Sequence, residues 1–227
     1  MPLKLTQRKL IVVEGLSDKA FLEAFLPQRG LDHFDVFAPW EMGNRLEGKD
    51  AIPNLLDAIQ TQRTFWSLPV EKVVVLVDSD EDPAAAFAQT QAALRKIAPA
   101  LDNAKQALDW PIPAAPDTPA STAGMPDVVI RLMPDSQHSG AFETLCWEAG
   151  ISANPNHAAC IQAFADCVDT SAWLPQKQSK FLLRALVSAS APKNPDLPTT
   201  KLWEKMPNLV PVNSTVFDSL AAFLAAI

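Results

Sequence analysis

The feature that most constrains this chain is a set of short apolar runs, each ended by an acid or a proline and separated by segments of helical spacing. Leu10 to Val13 stops at Glu14-Gly15, Phe34 to Phe37 stops before Pro39, and Val73 to Val77 stops at Asp78. Asp127 to Leu132 forms a fourth run. Continuous apolar runs of this length suit strands buried on both faces, as in a parallel sheet. Ser17 offers a helix N-cap with Asp18 in the first turn, and Phe21, Leu22, Phe25 and Leu26 follow at helical spacing until Pro27 to Gly30 closes the segment. Asp50 to Gln62 carries Ile52, Leu55, Leu56 and Ile59 in the same pattern. Pro83 to Leu108, rich in alanine, reads as mostly helical with a break at Pro99. Strand and helix alternate, so the expected fold is α/β: a Rossmann-type, mostly parallel sheet flanked by helices.

Beyond the last strand the signals are helical: Gly140 to Glu148, Ala158 to Val168, Gln178 to Ser188 and Ser214 to Ala226. The expected organisation is an α/β core over 1–150 and a helical C-terminal part over 151–227 packed on it as one unit. Pro111 to Gly124 (PIPAAPDTPASTAG) reads as a flexible surface loop.

Composition removes several functions. At 227 residues and 48% hydrophobic, the chain can bury a core without staples. Its 3 cysteines form no C-x-x-C pair, so a zinc ribbon is excluded and buried free thiols are expected for Cys146, Cys160 and Cys167. A net charge of −7 argues against a broad basic face for nucleic acid. A local site can still take phosphates through a bound cation. There is no tyrosine, which excludes a tyrosine nucleophile. No apolar run reaches the 18 or so residues that span a bilayer, and the N-terminus does not read as a signal peptide, so no membrane partner and a cytoplasmic location are expected.

The acids carry the functional signal. Glu14 follows the first strand; Asp78 and Asp80 follow the strongest one. Ligands of open α/β sheets bind beyond the carboxyl ends of the strands. Asp78 and Asp80, two apart in an extended segment, are expected to point the same way. Paired carboxylates at a strand end suit a hard divalent cation such as Mg²⁺. Glu14 can complete the site or act as a base, and Asp18 lies one helical turn further on. Asp18 alone also fits a helix start, and Asp78 to Asp82 alone also fits a solvated turn.

These residues resemble a known family. Val13-Glu14-Gly15-Leu16-Ser17-Asp18 before an amphipathic helix, with Val77-Asp78-Ser79-Asp80 after a hydrophobic strand, looks like the Toprim domain. Gly43 to Gly48 resembles the weaker element between those motifs. Met133-Pro134-Asp135 followed by Gly140-Ala141-Phe142-Glu143 is similar to small stand-alone Toprim-like proteins of the DUF3226 type, relatives of the overcoming-lysogenization-defect (OLD) nucleases. The resemblance implies Glu14 as general acid/base or metal ligand, and Asp78 and Asp80 as ligands of Mg²⁺ or Mn²⁺. It implies Asp18 and Glu143 as further metal residues and Lys180 as a catalytic cation, with Lys177 behind it. Gly15 and Ser79 fall where such a site would meet substrate. His138 reads as a loop residue.

The implied activity is metal-dependent hydrolysis of phosphodiester bonds in DNA or RNA. The missing tyrosine excludes a topoisomerase acting alone, and the cysteine pattern excludes the zinc-bearing primases and recombination factors. No G-x-x-x-x-G-K-[ST] motif is present, so an ATPase of the kind OLD-like systems use in phage defence would be a separate chain. A homo-oligomer is compatible with the sequence. Two readings stand beside the nuclease: a Mg²⁺-dependent phosphatase, suggested by Asp78-Ser79-Asp80, and a non-catalytic interaction module of the same fold, suggested by the scarcity of basic residues.

Overall fold

The computed structural model describes residues 3–42, 47–101 and 107–227, leaving aside the side chain of Arg63. Four strands, β1 (Lys9–Val13), β2 (Phe34–Phe37), β3 (Lys72–Asp78) and β6 (Asp127–Met133), form an all-parallel sheet in the order β2-β1-β3-β6. The apolar runs feed both faces because successive strand side chains point to opposite sides. Ile11, Val13, Val74 and Leu76 enter one core; Leu10, Val12, Val73, Val75 and Val77 enter the other.

Each face is covered by helices. Helices α2 (Ile52–Gln60), α3 (Arg63–Ser67) and α4 (Pro83–Leu94) cover one. The other carries α1 (Leu16–Gln28) together with the C-terminal helices α5 (Phe142–Ala153), α6 (Pro155–Cys167), α7 (Pro175–Ser190), α8 (Leu202–Lys205) and α9 (Asp218–Ala226). This is the expected α/β fold with its helical C-terminal part. The C-terminal helices have no separate core. Phe21 of α1 meets Phe142, Phe217 and Trp203 at centroid distances of 4.7, 4.7 and 5.3 Å. Helix α5 runs across position 150, the expected boundary.

Several local expectations change. Gly15, in extended conformation, caps α1, and Ser17 lies inside the first turn. The helix expected to reach Leu108 ends at Leu94; a short antiparallel pair, β4 (Ala100–Leu101) with β5 (Ala107–Leu108), follows Pro99. Proline removes a backbone donor and disfavours helix for the residue before it, so no helix carries through Pro99 to Leu108. Pro111 to Gly124 is anchored along the outer edge of β6. The Asp117 N–H donates to the Ile130 carbonyl at 2.8 Å, and Ala120 and Val128 exchange backbone bonds. Arg131 of β6 clamps this loop from the side, bonding Asp117 at 2.6 Å and Ser219 at 2.8 Å with its guanidinium over the Phe223 ring. An edge strand needs such cover, because its unpaired backbone otherwise invites pairing with another chain. Only Cys146 is buried; Cys160 and Cys167 are exposed on α6. Among the described residues no helix is long and apolar enough to cross a membrane.

Candidate metal centre

The strand order places the switch point of the fold at β1, whose sequence neighbour β2 lies on one side and β3 on the other. At such a point the connections leave the strand ends in opposite directions and open a crevice beyond the carboxyl ends. A cleft of about 490 Å³ lies there, lined by Glu14, Gly15, Asp18, Asp78, Glu143 and Lys180, with Trp40 and Thr200 also on its wall. Glu14 leaves β1, Asp78 ends β3, Asp18 sits in the first turn of α1 and Glu143 in the first turn of α5. Two helix N-termini therefore meet the acids, and their partial positive charge favours carboxylates there.

Three of the carboxylates are held in the same manner. The Asp78 N–H donates to Glu14 Oε1 at 2.7 Å, the Phe142 N–H donates to Asp78 Oδ1 at 2.8 Å, and the Gly15 N–H donates to Asp18 Oδ2 at 3.0 Å. Each spends one oxygen on the backbone, and among the described residues no hydrogen bond takes the other. Gly15 thus acts through its backbone, orienting Asp18. A carboxylate fixed by an outer hydrogen bond is a pre-oriented ligand.

Asp80 and Ser79 depart from the simple picture. The strand ends at Asp78, and Asp80 adopts a left-handed backbone with φ of 53°, so the two aspartates do not share an extended segment. Asp80 exchanges backbone bonds of 2.8 and 2.7 Å with Gly140, whose φ of 146° favours glycine. Ser79 is fully buried. Its hydroxyl donates toward the carbonyls of Met133 (3.0 Å) and His138 (2.7 Å), and its N–H donates to Met133. It braces the loop after β6 and does not present a group to a ligand.

The Asp80 carboxylate pairs with Lys49, a residue the sequence reading passed over. The Lys49 side chain is 4% exposed, and its Nζ lies 3.8 Å from Glu14 Oε1. Lysine is almost never this buried without a partner. The available signal was Gly48-Lys49 at a helix entry: Gly48 has φ of 80° and donates its N–H to the Glu14 carbonyl at 3.1 Å. Gly43, the start of the weaker motif, lies outside the described residues.

Lys180 projects from α7 to 4.0 Å from Asp78 Oδ2 and is half exposed. Its neighbour Ser179 bonds Thr144 of α5 at 2.9 Å, which ties the turn bearing Lys180 to the turn bearing Glu143. Lys177 is exposed and does not line the cleft. The exposed His138 ring bonds Asp135, away from the acids. Cys146 is buried near the cluster; burial first, then the charge of Glu143, pushes its thiol well up, so it is not a nucleophile.

Burial and mutual repulsion set the charge state. Asp18 is pushed up to about 7 by burial, then by Glu143 and Glu14. Burial followed by Glu14, Asp18 and Glu143 raises Asp78 well above the usual carboxylate range. Glu14 is raised by burial, with Lys49 opposing, and Glu143 is raised by burial, with Lys180 opposing. Lys180 is raised: burial acts to lower it, but Glu143, Asp78, Asp18 and Glu14 together outweigh that. Carboxylates crowded so that they resist ionising are relieved by a bound cation. Oxygen donors with one free lobe each fit Mg²⁺ or Mn²⁺. As the side chains stand, no three His, Cys, Asp or Glu among the described residues are grouped to ligate one ion, so binding requires the acids to close further.

No curated protein and no solved structure matches the chain. One family model does, that of the "Protein of unknown function (DUF3226)", over residues 8–227. That match takes in every strand of the sheet and all the acids of the cleft, and the chain belongs to the DUF3226 family.

Proposed function

We propose that this protein is a Mg²⁺- or Mn²⁺-dependent nuclease of the Toprim type, related to the OLD nucleases, that hydrolyses phosphodiester bonds in nucleic acid. The observation that carries this reading is the meeting of Glu14, Asp18, Asp78, Glu143 and Lys180 in one cleft at the switch point of a parallel sheet. Glu14-Gly15-x-x-Asp18 and Asp78-x-Asp80 lie at the ends of adjacent strands, as the Toprim resemblance requires.

Asp18, Asp78 and Glu143 would hold the cation. When bound, a divalent ion supplies Lewis-acid polarisation of the phosphoryl group and activates water for attack. The chain's own groups do the rest. Among the described residues no hydrogen bond reaches Glu14 Oε2, and the raised affinity of Glu14 for protons suits a base that accepts one from the attacking water. Lys180 offers its ammonium to phosphoryl oxygens at the mouth of the cleft. Trp40, 37% exposed on the cleft wall, offers an indole face on which an unpaired base can stack. An acidic protein thereby acts on a polyanion only once its own acids are neutralised.

The test is cleavage of single- and double-stranded DNA and RNA with Mg²⁺ or Mn²⁺, with a phosphomonoester as control, by wild type and Glu14→Gln. Diester cleavage lost in the variant supports the nuclease. Turnover of the monoester alone would favour a phosphatase. A second reading is a non-catalytic interaction module, and metal binding with no turnover of any substrate would support it.

A further inference from the structure

We propose that Lys49 is a built-in cation that takes the place of a second divalent ion and makes this a one-metal centre. The inference rests on the metal-dependent reading of the cleft. Five of the acids fall into two overlapping groups joined by Glu14. On one side, Asp18, Asp78 and Glu143 face Lys180, whose ammonium is half exposed and stops 4.0 Å from Asp78. On the other, Glu14 and Asp80 face Lys49, which is buried and in contact with Asp80.

The two lysines differ in kind. Lys180 stands on a solvent-exposed helix face and can swing away from an incoming ion. Lys49 cannot. It sits in the turn Lys49–Ala51 that leads into α2, and its whole side chain is buried. Gly48 is itself tied to the Glu14 carbonyl. The Nζ lies on the side of Glu14 facing Asp80, where two carboxylates from adjacent strand ends would otherwise bridge a cation. A two-metal phosphodiesterase spaces its ions about 3.5–4 Å apart so that one serves the attacking and the other the leaving oxygen. Here an ammonium stands between the two carboxylates that would hold one of those ions, and an ammonium cannot coordinate a leaving oxygen. It can only hold Glu14 and Asp80 in place and donate hydrogen bonds. Lys49 is therefore a positioning residue, and stabilisation of the leaving oxygen falls to Lys180.

The experiment counts Mn²⁺ bound at equilibrium dialysis by wild type, Lys49→Met and Lys49→Arg, with circular dichroism and thermal melting on the same samples. The proposal expects one ion in wild type and in Lys49→Arg, and two in Lys49→Met. It also expects Mn²⁺ to raise the melting temperature of Lys49→Met at least twice as much as that of wild type, because the ion replaces the lost charge. Two ions in wild type, or one in a folded Lys49→Met, would overturn the assignment of Lys49 and leave the metal centre standing. No ion in any of the three proteins would overturn the metal reading itself. If Lys49→Met is unfolded without metal, the wild-type count still decides.

Discussion

Replacing Asp18 with asparagine should make the metal-free protein more stable at alkaline pH, although it removes a candidate ligand. Asp18 is raised from 3.8 to about 7, with burial the largest cause and Glu143 and Glu14 next. A folded-state value above the unfolded one means that the native state holds the proton more tightly. That contribution to stability is complete below pH 4 and is lost as pH rises toward 7. The full difference of about three pKa units corresponds to about 4 kcal/mol at 1.36 kcal/mol per unit. Asparagine is never charged and can still accept the Gly15 N–H bond, so it escapes this loss. It must instead bury an amide beside the remaining carboxylates, which costs roughly 1–3 kcal/mol if a donor is left unpaired. A net gain of about 1–3 kcal/mol at pH 8 follows, or roughly 2–12 °C in melting temperature for a chain of this size. The assay is thermal or urea unfolding of wild type and Asp18→Asn from pH 4 to pH 9, with a chelator present. Near pH 4 wild type should be the more stable by that amide cost of roughly 1–3 kcal/mol, and the two curves should cross between about pH 4.5 and 6. A variant that is no more stable than wild type at pH 8 would refute the reasoning, because the Asp18 carboxylate would then carry no strain to release. Adding Mn²⁺ should reverse the order, since the ion stabilises wild type and has lost a ligand in the variant.

Other changes separate the parts of the cleft. Lys180→Ala should lower turnover about 10²-fold, the order of loss seen when one charge-stabilising donor is removed, with Mn²⁺ affinity within twofold of wild type by calorimetry. Equal turnover would take Lys180 out of the reaction. Trp40→Ala should weaken binding of single-stranded nucleic acid by about 1–3 kcal/mol, the range for one stacked base, measured by fluorescence anisotropy with a non-cleavable oligonucleotide. Phe21→Ala should cost about 3–5 kcal/mol in denaturant unfolding, because Phe21 is the ring on which Phe142, Phe217 and Trp203 meet. A loss below 1 kcal/mol would mean that the C-terminal helices do not depend on that contact.

The strand ends were legible in the sequence because both determinants are local. Val73 to Val77 has no polar residue to place at a surface, so it must be buried on both faces. The acid that follows must then leave the sheet at its carboxyl end. Glu14 follows by the same argument at β1. Parallel register then sets the two ends side by side. What depends on a single backbone angle or on a distant partner was not legible. The reversal at Asp80 arises from its pairing with Gly140, sixty residues away, and the same turn buries Ser79. Lys49 looks like a solvated lysine at a helix start, and only the fold reveals the two carboxylates it meets. The Pro111 to Gly124 segment has the composition of a free loop. Its anchor is the Asp117–Arg131 pair, and an arginine within an apolar strand gives no hint of its partner.

The central claim is that the acids at the ends of β1 and β3 form a divalent-cation centre. The most direct measurement is a calorimetric titration of Mg²⁺ and Mn²⁺ into wild type and Asp78→Ala, with folding of both checked by circular dichroism. The account predicts saturable binding in wild type that is lost in a folded Asp78→Ala. Equal binding in both proteins, or none in wild type, would contradict it.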